Sequence, residues 1–112
     1  MLKIYHNPRC SKSRQTLQLI EQANAEFTVI EYLKTPLSSD EIKHILSLLK
    51  VDIRDIIRKK EDDYKAQNLQ DADESTLIEA IIKTPKILER PIVVSNDNAC
   101  IGRPPENVLA LL

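Results

Sequence analysis

A chain of 112 residues has material for one hydrophobic core, and 42% apolar with 29% charged residues is the composition of an ordinary globular protein. At a net charge of -1 it has no overall attraction for nucleic acid or for an anionic membrane, so any bound anion must be drawn by a local group of Arg and Lys. The single glycine, Gly102, excludes a Walker loop or a G-x-G-x-x-G turn, which need several glycines for close backbone approach to phosphate.

Leu2 to His6 alternates in polarity and predicts a first strand, stopped by Asn7-Pro8. From Ser11 a helical period begins, with Thr16, Leu17, Ile20 and Ala23 on one face, ending near Asn24. Phe27 to Tyr32 is β-branched and aromatic, a second strand. After Thr35-Pro36, Ser38 and Glu41 form the S-x-x-E pair of a capping box. Ile42, Ile45, Leu46 and Leu49 then predict an amphipathic helix. Asp52 caps a short helix through Ile53, Ile56 and Ile57. Residues 59–73 are charged and weakly periodic, a solvated connector with one turn of helix. Ser75 is set to cap a further helix that turns Leu77, Ile78, Ile81 and Ile82 inward. Ile92 to Val94 and Ala99 to Ile101 flank Asn96-Asp97-Asn98 as a hairpin, and Pro104-Pro105 suits the first turn of a last helix.

The expected fold is α/β, one domain over residues 1–112. A β-α-β opening, several helices, a hairpin preceded by Pro91 and a final helix make the order of a thioredoxin-like fold. Its small mixed β-sheet carries a helical insertion between the second and third strands. The N-terminus runs directly into the first strand pattern without a signal-peptide stretch, and no apolar run approaches the ~18 residues of a membrane span. Cytoplasmic residence is therefore expected, with Cys10 and Cys100 both reduced at rest.

The loop His6-Asn-Pro-Arg-Cys10-Ser-Lys-Ser-Arg14 carries the chemistry. A cysteine just before a helix meets backbone N–H groups that have no intrahelical partner and the positive end of the macrodipole. Both favour the thiolate, the reactive form. Arg9, Lys12 and Arg14 add positive charge in sequence, and Ser11 and Ser13 add hydroxyls, so nucleophile and oxyanion cradle coincide. A cysteine at such a turn is commonly no more than a small buried residue; the basic and hydroxyl neighbours reverse that preference here. Ser13 stands where a C-x-x-C pair would need its second cysteine. Two Cys and two His without paired spacing give no metal site. His44 has no identifiable partner.

Tyr5-His-Asn-Pro-Arg-Cys10-Ser-Lys-Ser13-Arg14 resembles the opening pattern Y-H-N-P-x-C-x-x-S-R of the glutaredoxin-dependent arsenate reductases. Tyr32-Leu-Lys-Thr-Pro36, Arg54-Asp-Ile-Ile-Arg58-Lys59, Glu89-Arg90-Pro91-Ile-Val-Val94 and Arg103-Pro104 are similar to further motifs of that family, in order and over nearly the whole chain. The resemblance implies that Cys10 attacks arsenate, that His6 lowers its pKa, and that Arg58, Arg90 and Arg103 hold the oxyanion. Guanidinium forks suit tetrahedral oxyanions and stay charged. Ser11, Ser13 and Arg14 are expected to line the same site, while Arg54 and Lys59 read as solvated neighbours. Pro91 matches a proline that thioredoxin-like folds place, in cis, beside the active thiol.

The resemblance further implies reduction of arsenate to arsenite with no bound cofactor, glutathione as co-substrate and glutaredoxin as partner, without nucleic acid or membrane. Arg9 stands where the family often has a small residue, and Lys12 adds another cation. Two alternatives share the fold. One is an Spx-like redox-responsive regulator that binds RNA polymerase, disfavoured by the missing C-x-x-C. The other is a thiol reductase for a different oxyanion or a glutathione mixed disulfide. Cys100, between Ala99 and Ile101, reads as a packed apolar residue and not as a resolving thiol.

Overall fold

The computed structural model describes all 112 residues, Met1–Leu112. They form two compact units, one of Met1–Thr35 with Arg90–Leu112, the other of Pro36–Glu89.

The first unit holds β1 (Leu2–His6), α1 (Ser11–Gln22), β2 (Phe27–Glu31), β3 (Ile92–Val94), β4 (Ala99–Ile101) and a closing 3-10 helix, Pro105–Leu111. The sheet order is β2-β1-β3-β4. β1 runs parallel to β2, from Leu2 opposite Phe27 to His6 opposite Glu31, and antiparallel to β3, with Tyr5 opposite Ile92. β3 and β4 are antiparallel. This is a thioredoxin-like mixed sheet, as expected.

β1 is flanked on both edges, so Leu2, Ile4, Tyr5 and His6 are buried and only Lys3 is exposed. β2 lies at an edge and leaves Thr28 and Val29 to solvent. Leu2, Ile4, Ile20, Val93 and Val108 form the core, with Leu17, Phe27, Cys100 and Leu111 packed against it. Truncating a fully buried member such as Ile4 to Ala costs about 2–5 kcal/mol, from lost transfer energy and the cavity left behind. The hairpin turn is closed by Ser95, whose N–H donates to the Asn98 carbonyl (2.7 Å) and whose Oγ accepts from the Asn98 N–H (3.0 Å). Ala23, expected on the buried face, instead caps the exposed end of α1. The peptide bonds before Pro91 and Pro104 are both cis.

The second unit is the helical insertion. Its α2 (Ser39–Leu49) opens with the predicted capping box, Ser38 Oγ accepting from the Glu41 N–H and Glu41 Oε1 from the Ser38 N–H. Ile42, Ile45 and Leu46 are buried. Asp52 caps a 3-10 turn, Ile53–Ile56, through the Arg54 N–H. The connector is more ordered than its composition implied. It contains α3 (Asp62–Ala66) and a 3-10 turn at Leu69–Asp71, because Tyr64 and Leu69 give it an apolar side to bury. Ser75 does not cap α4 (Glu74–Lys83). Asp73 does, its Oδ1 accepting from the Thr76 N–H at 2.8 Å, which puts Ser75 inside the first turn. A bridge between Ile57 and Leu88 ties the two ends of this unit, with the Arg58 N–H on the Ile87 carbonyl (2.6 Å) and the Glu89 N–H on the Ile56 carbonyl (2.7 Å).

Candidate active site

The loop between β1 and α1 is folded by Asn7. Its carbonyl accepts the Cys10 N–H (3.0 Å), its Oδ1 accepts the Arg9 N–H (3.0 Å), and its own N–H donates to Ser13 Oγ (3.0 Å). An Asn-Pro pair at a strand end is the sequence signal for such a turn. Cys10 is thereby set at the N-cap of α1 in extended backbone (φ -95°, ψ 123°), ahead of the unpaired N–H groups of the first turn.

Burial pushes the Cys10 thiol up. The Ser13 N–H, the hydrogen bond and charge of the Arg90 guanidinium, and the Lys12 N–H together outweigh it, so the pKa lies below that of an ordinary cysteine. The side chains of Arg9, Lys12 and Arg14, adjacent in sequence, are exposed, and the Arg14 guanidinium donates to the Pro8 carbonyl (3.0 Å). The expectation that these three supply the local charge is corrected: the side chains set against the Cys10 thiolate come from outside the loop, Arg90 by hydrogen bond and charge, and Arg103 with Nη2 3.6 Å from Sγ. Lys12 contributes through its backbone.

Arg90 and Arg103 reach Cys10 because of strand pairing. β3 and β4 are antiparallel with Ile92 opposite Ile101, so the residue two before β3 and the residue two after β4 meet at one end of the hairpin. β3 is also antiparallel to β1, with Tyr5 opposite Ile92, which puts that end beside His6 and the start of the Cys10 loop. Arg103 Nε donates to the Arg90 carbonyl (2.7 Å), and Arg103 Nη2 lies 3.6 Å from Cys10 Sγ. Arg90 is half-buried. Its Nε is a buried donor without a partner.

A cysteine of lowered pKa at a helix start, met by two arginines from a distant hairpin, narrows the comparison with known proteins. Residues 5–111 match the ArsC family. The chain belongs to the ArsC family. Over 114 residues it is 48% identical to the uncharacterised protein YfgD of Escherichia coli (strain K12), covering 99% of this chain and 96% of that one. It is 44% identical to an arsenate reductase of Neisseria meningitidis, covering 99% and 97%. Among solved structures, an arsenate reductase from Vibrio cholerae superposes with a TM-score of 0.95 at 46% identity, covering 99% of this chain and 97% of that chain.

The remaining residues singled out in the ArsC motifs fall into distinct settings. His6 is buried and meets Ser13 Oγ through Nδ1 at 2.6 Å. Burial first, and the Arg14 charge after it, lower the His6 pKa against the pull of Glu31, so the ring is held toward its neutral form. Because Ser13 Oγ already accepts from the Asn7 N–H, its proton is free to meet Nδ1. The Ser13 hydroxyl, expected to face an oxyanion, is thus committed inward; it is the Ser13 N–H that serves Cys10. Ser11 is exposed at the helix start. Arg58 belongs to the insertion, where its guanidinium pairs with Glu61. The Arg54 guanidinium is occupied by the Gln70 and Ala72 carbonyls, and His44 is exposed.

Cys100 lies in β4 against the core, and burial pushes its thiol up to about 11. At neutral pH it is a thiol and a poor nucleophile. A cavity of about 350 Å³ opens on the flank of the Cys10 loop, lined by His6, Asn7, Pro8, Arg9, Glu31, Leu33 and Lys34. No helix is long and apolar enough to cross a membrane.

Proposed function

We propose that this protein reduces arsenate to arsenite in the cytoplasm, with Cys10 as nucleophile, glutathione as co-substrate and glutaredoxin as the partner that completes the cycle. The observation that carries the reading is the convergence of Arg90 and Arg103 on a thiol whose pKa is lowered, against burial, by the Ser13 N–H, Arg90 and the Lys12 N–H. The named arsenate reductases among the full-length relatives support it.

In this reading the Cys10 thiolate attacks arsenic, an S–As bond forms, and an arsenate oxygen leaves as water. Arg90 and Arg103 neutralise the oxyanion as charge shifts onto it, and the first-turn N–H groups of α1, which favour the thiolate at rest, face the same position. Arg58, carried over from the family motif, is proposed as a third arginine for the anion. The chain binds no cofactor for this chemistry. Two electrons reach arsenic from two thiols, which end as a disulfide: glutathione attacks the arseno-cysteine, and glutaredoxin clears the resulting mixed disulfide as arsenite departs. With Cys100 half-buried in β4 and held as a thiol, the second sulfur comes from outside the chain.

Steady-state assay with arsenate, glutathione and glutaredoxin tests this directly. Turnover that disappears in Cys10→Ser and falls when thioredoxin replaces glutaredoxin is the expected result. Turnover of a glutathione mixed disulfide with none of arsenate would transfer the protein to the other thiol-reductase reading.

A further inference from the structure

The one glycine of the chain, Gly102, lies directly before Arg103 and is buried. Its N–H donates to the Pro91 carbonyl at 2.9 Å, and its carbonyl lies 3.4 Å from Thr16 Oγ1. That hydroxyl spends its proton chiefly on the Lys12 carbonyl of α1, at 2.8 Å. A Cβ at position 102 would stand 2.4 Å from Thr16 Oγ1, 3.1 Å from Thr16 Cγ2 and 2.8 Å from Pro91 Cγ. The end of β4 thus approaches α1 and Pro91 more closely than any residue with a side chain allows.

We propose that Gly102 is a positioning residue, whose missing side chain lets the end of β4 close onto Thr16 and Pro91 and so seats the Arg103 guanidinium against Cys10 Sγ. The two walls of the contact are the elements that carry the site. Thr16 lies on the helix that Cys10 begins, and Pro91 follows Arg90, whose carbonyl holds Arg103 Nε. Relieving contacts of 2.4 and 2.8 Å requires the backbone at 102 to withdraw by roughly an ångström, since ordinary carbon contacts begin at about 3.5 Å. Arg103 follows in the next residue, and its Nη2 is already at 3.6 Å from sulfur, so a withdrawal of that size opens the contact. Of the charged groups, Arg90 favours the thiolate by hydrogen bond and charge, and Arg103 stands with Nη2 3.6 Å from sulfur; His6, held toward its neutral form, meets Ser13 Oγ and not the thiol.

The inference rests on Cys10 as the working thiolate and not on arsenate as its substrate, and its test is chosen accordingly. Thiolate absorbance near 240 nm is followed against pH for the full chain, Gly102→Ala, Arg103→Ala and the double variant, with Cys10→Ser as the blank. Gly102→Ala is expected to raise the Cys10 pKa by about one pH unit, the lower end of what an adjacent guanidinium contributes. Arg103→Ala raises it equally, and the double variant goes no further, because both changes remove one contact. A folded Gly102→Ala protein with the parent pKa overturns the proposal, as does an effect that adds to that of Arg103→Ala. Should Gly102→Ala by itself prevent folding, Gly102→Ala/Thr16→Ala removes the Thr16 contacts and keeps the 2.8 Å approach to Pro91. That variant must still raise the pKa; the parent value there overturns the proposal too. None of these readouts requires arsenate, so loss of the arsenate reading leaves the result interpretable.

Discussion

Arg103 Nη2 lies 3.6 Å from Cys10 Sγ across 93 residues of chain, while its Nε is held by the Arg90 carbonyl at 2.7 Å. One guanidinium therefore joins the loop after β1 to the strand pair that closes the sheet. In the proposed reaction it would keep a donor aimed at sulfur before the anion arrives, removing part of the ordering cost of the step.

The Cys10 thiol should react as a thiolate at lower pH than a free cysteine. Alkylation by iodoacetamide follows the thiolate fraction, so its rate should rise through a midpoint below ~8.5. Arg90→Ala should move that midpoint upward, since Arg90 supplies both a hydrogen bond and a charge to the thiolate. A midpoint at or above the free-cysteine value would contradict the site as described.

Removing an arginine should cost catalysis more than binding of the thiol partner. Arg90→Ala and Arg103→Ala are each expected to lower kcat for arsenate on the order of 10²–10³, the loss seen when one oxyanion donor is deleted. Lysine at either position should restore only part, because the planar fork is lost. Arg58→Ala is expected to behave in the same way. Unchanged kinetics in that variant would leave Arg58 with its Glu61 pair as its whole role.

Cys100→Ser should keep full turnover with glutathione and glutaredoxin. The thiol is held near 11 by burial in β4, so at working pH it cannot attack a mixed disulfide on Cys10. Mass spectrometry after turnover should find glutathione on Cys10. A Cys10–Cys100 disulfide, lost together with activity in Cys100→Ser, would refute this.

The cap of α4 offers a test independent of the reaction. Asp73→Ala should lower Tm, whereas Ser75→Ala should leave it nearly unchanged, because only Asp73 accepts the Thr76 N–H. The Thr76 N–H first, and its hydroxyl second, hold the folded Asp73 carboxyl below its ordinary value. A depressed folded pKa means that the stabilisation is present above the unfolded carboxylate value of ~3.9 and is lost as pH falls through the folded one. The Tm gap between Asp73→Ala and its parent should accordingly be open at neutral pH and close in acid.

The sequence alone determined those features of this protein that depend on residues within one or two turns of each other. Alternation marked β1, the Ser38–Glu41 spacing marked the start of α2, and Asn7-Pro8 followed by a helical period put Cys10 at a helix start. Those preferences are local, set by backbone sterics and by donors a few residues away. Even at that scale the cap of α4 differs from expectation: Ser75 is the expected cap, but Asp73, two residues earlier, is the one whose carboxylate reaches the Thr76 N–H.

Tertiary structure decided which charges meet the thiol. Arg9 and Arg14 are neighbours of Cys10 in sequence, but Arg9 sits in the turn before α1 and Arg14 projects from its outer side, and both are exposed. Arg90 and Arg103 come from 80 and more residues away, because antiparallel pairing of β3 with β1 and β4 fixes where the hairpin ends. The family motifs named these two arginines, but neither periodicity nor propensity carries that register. The register comes from burying Ile4, Ile92 and Val93 in one sheet, and the lone glycine acquires its role only when β4 closes onto α1 and Pro91.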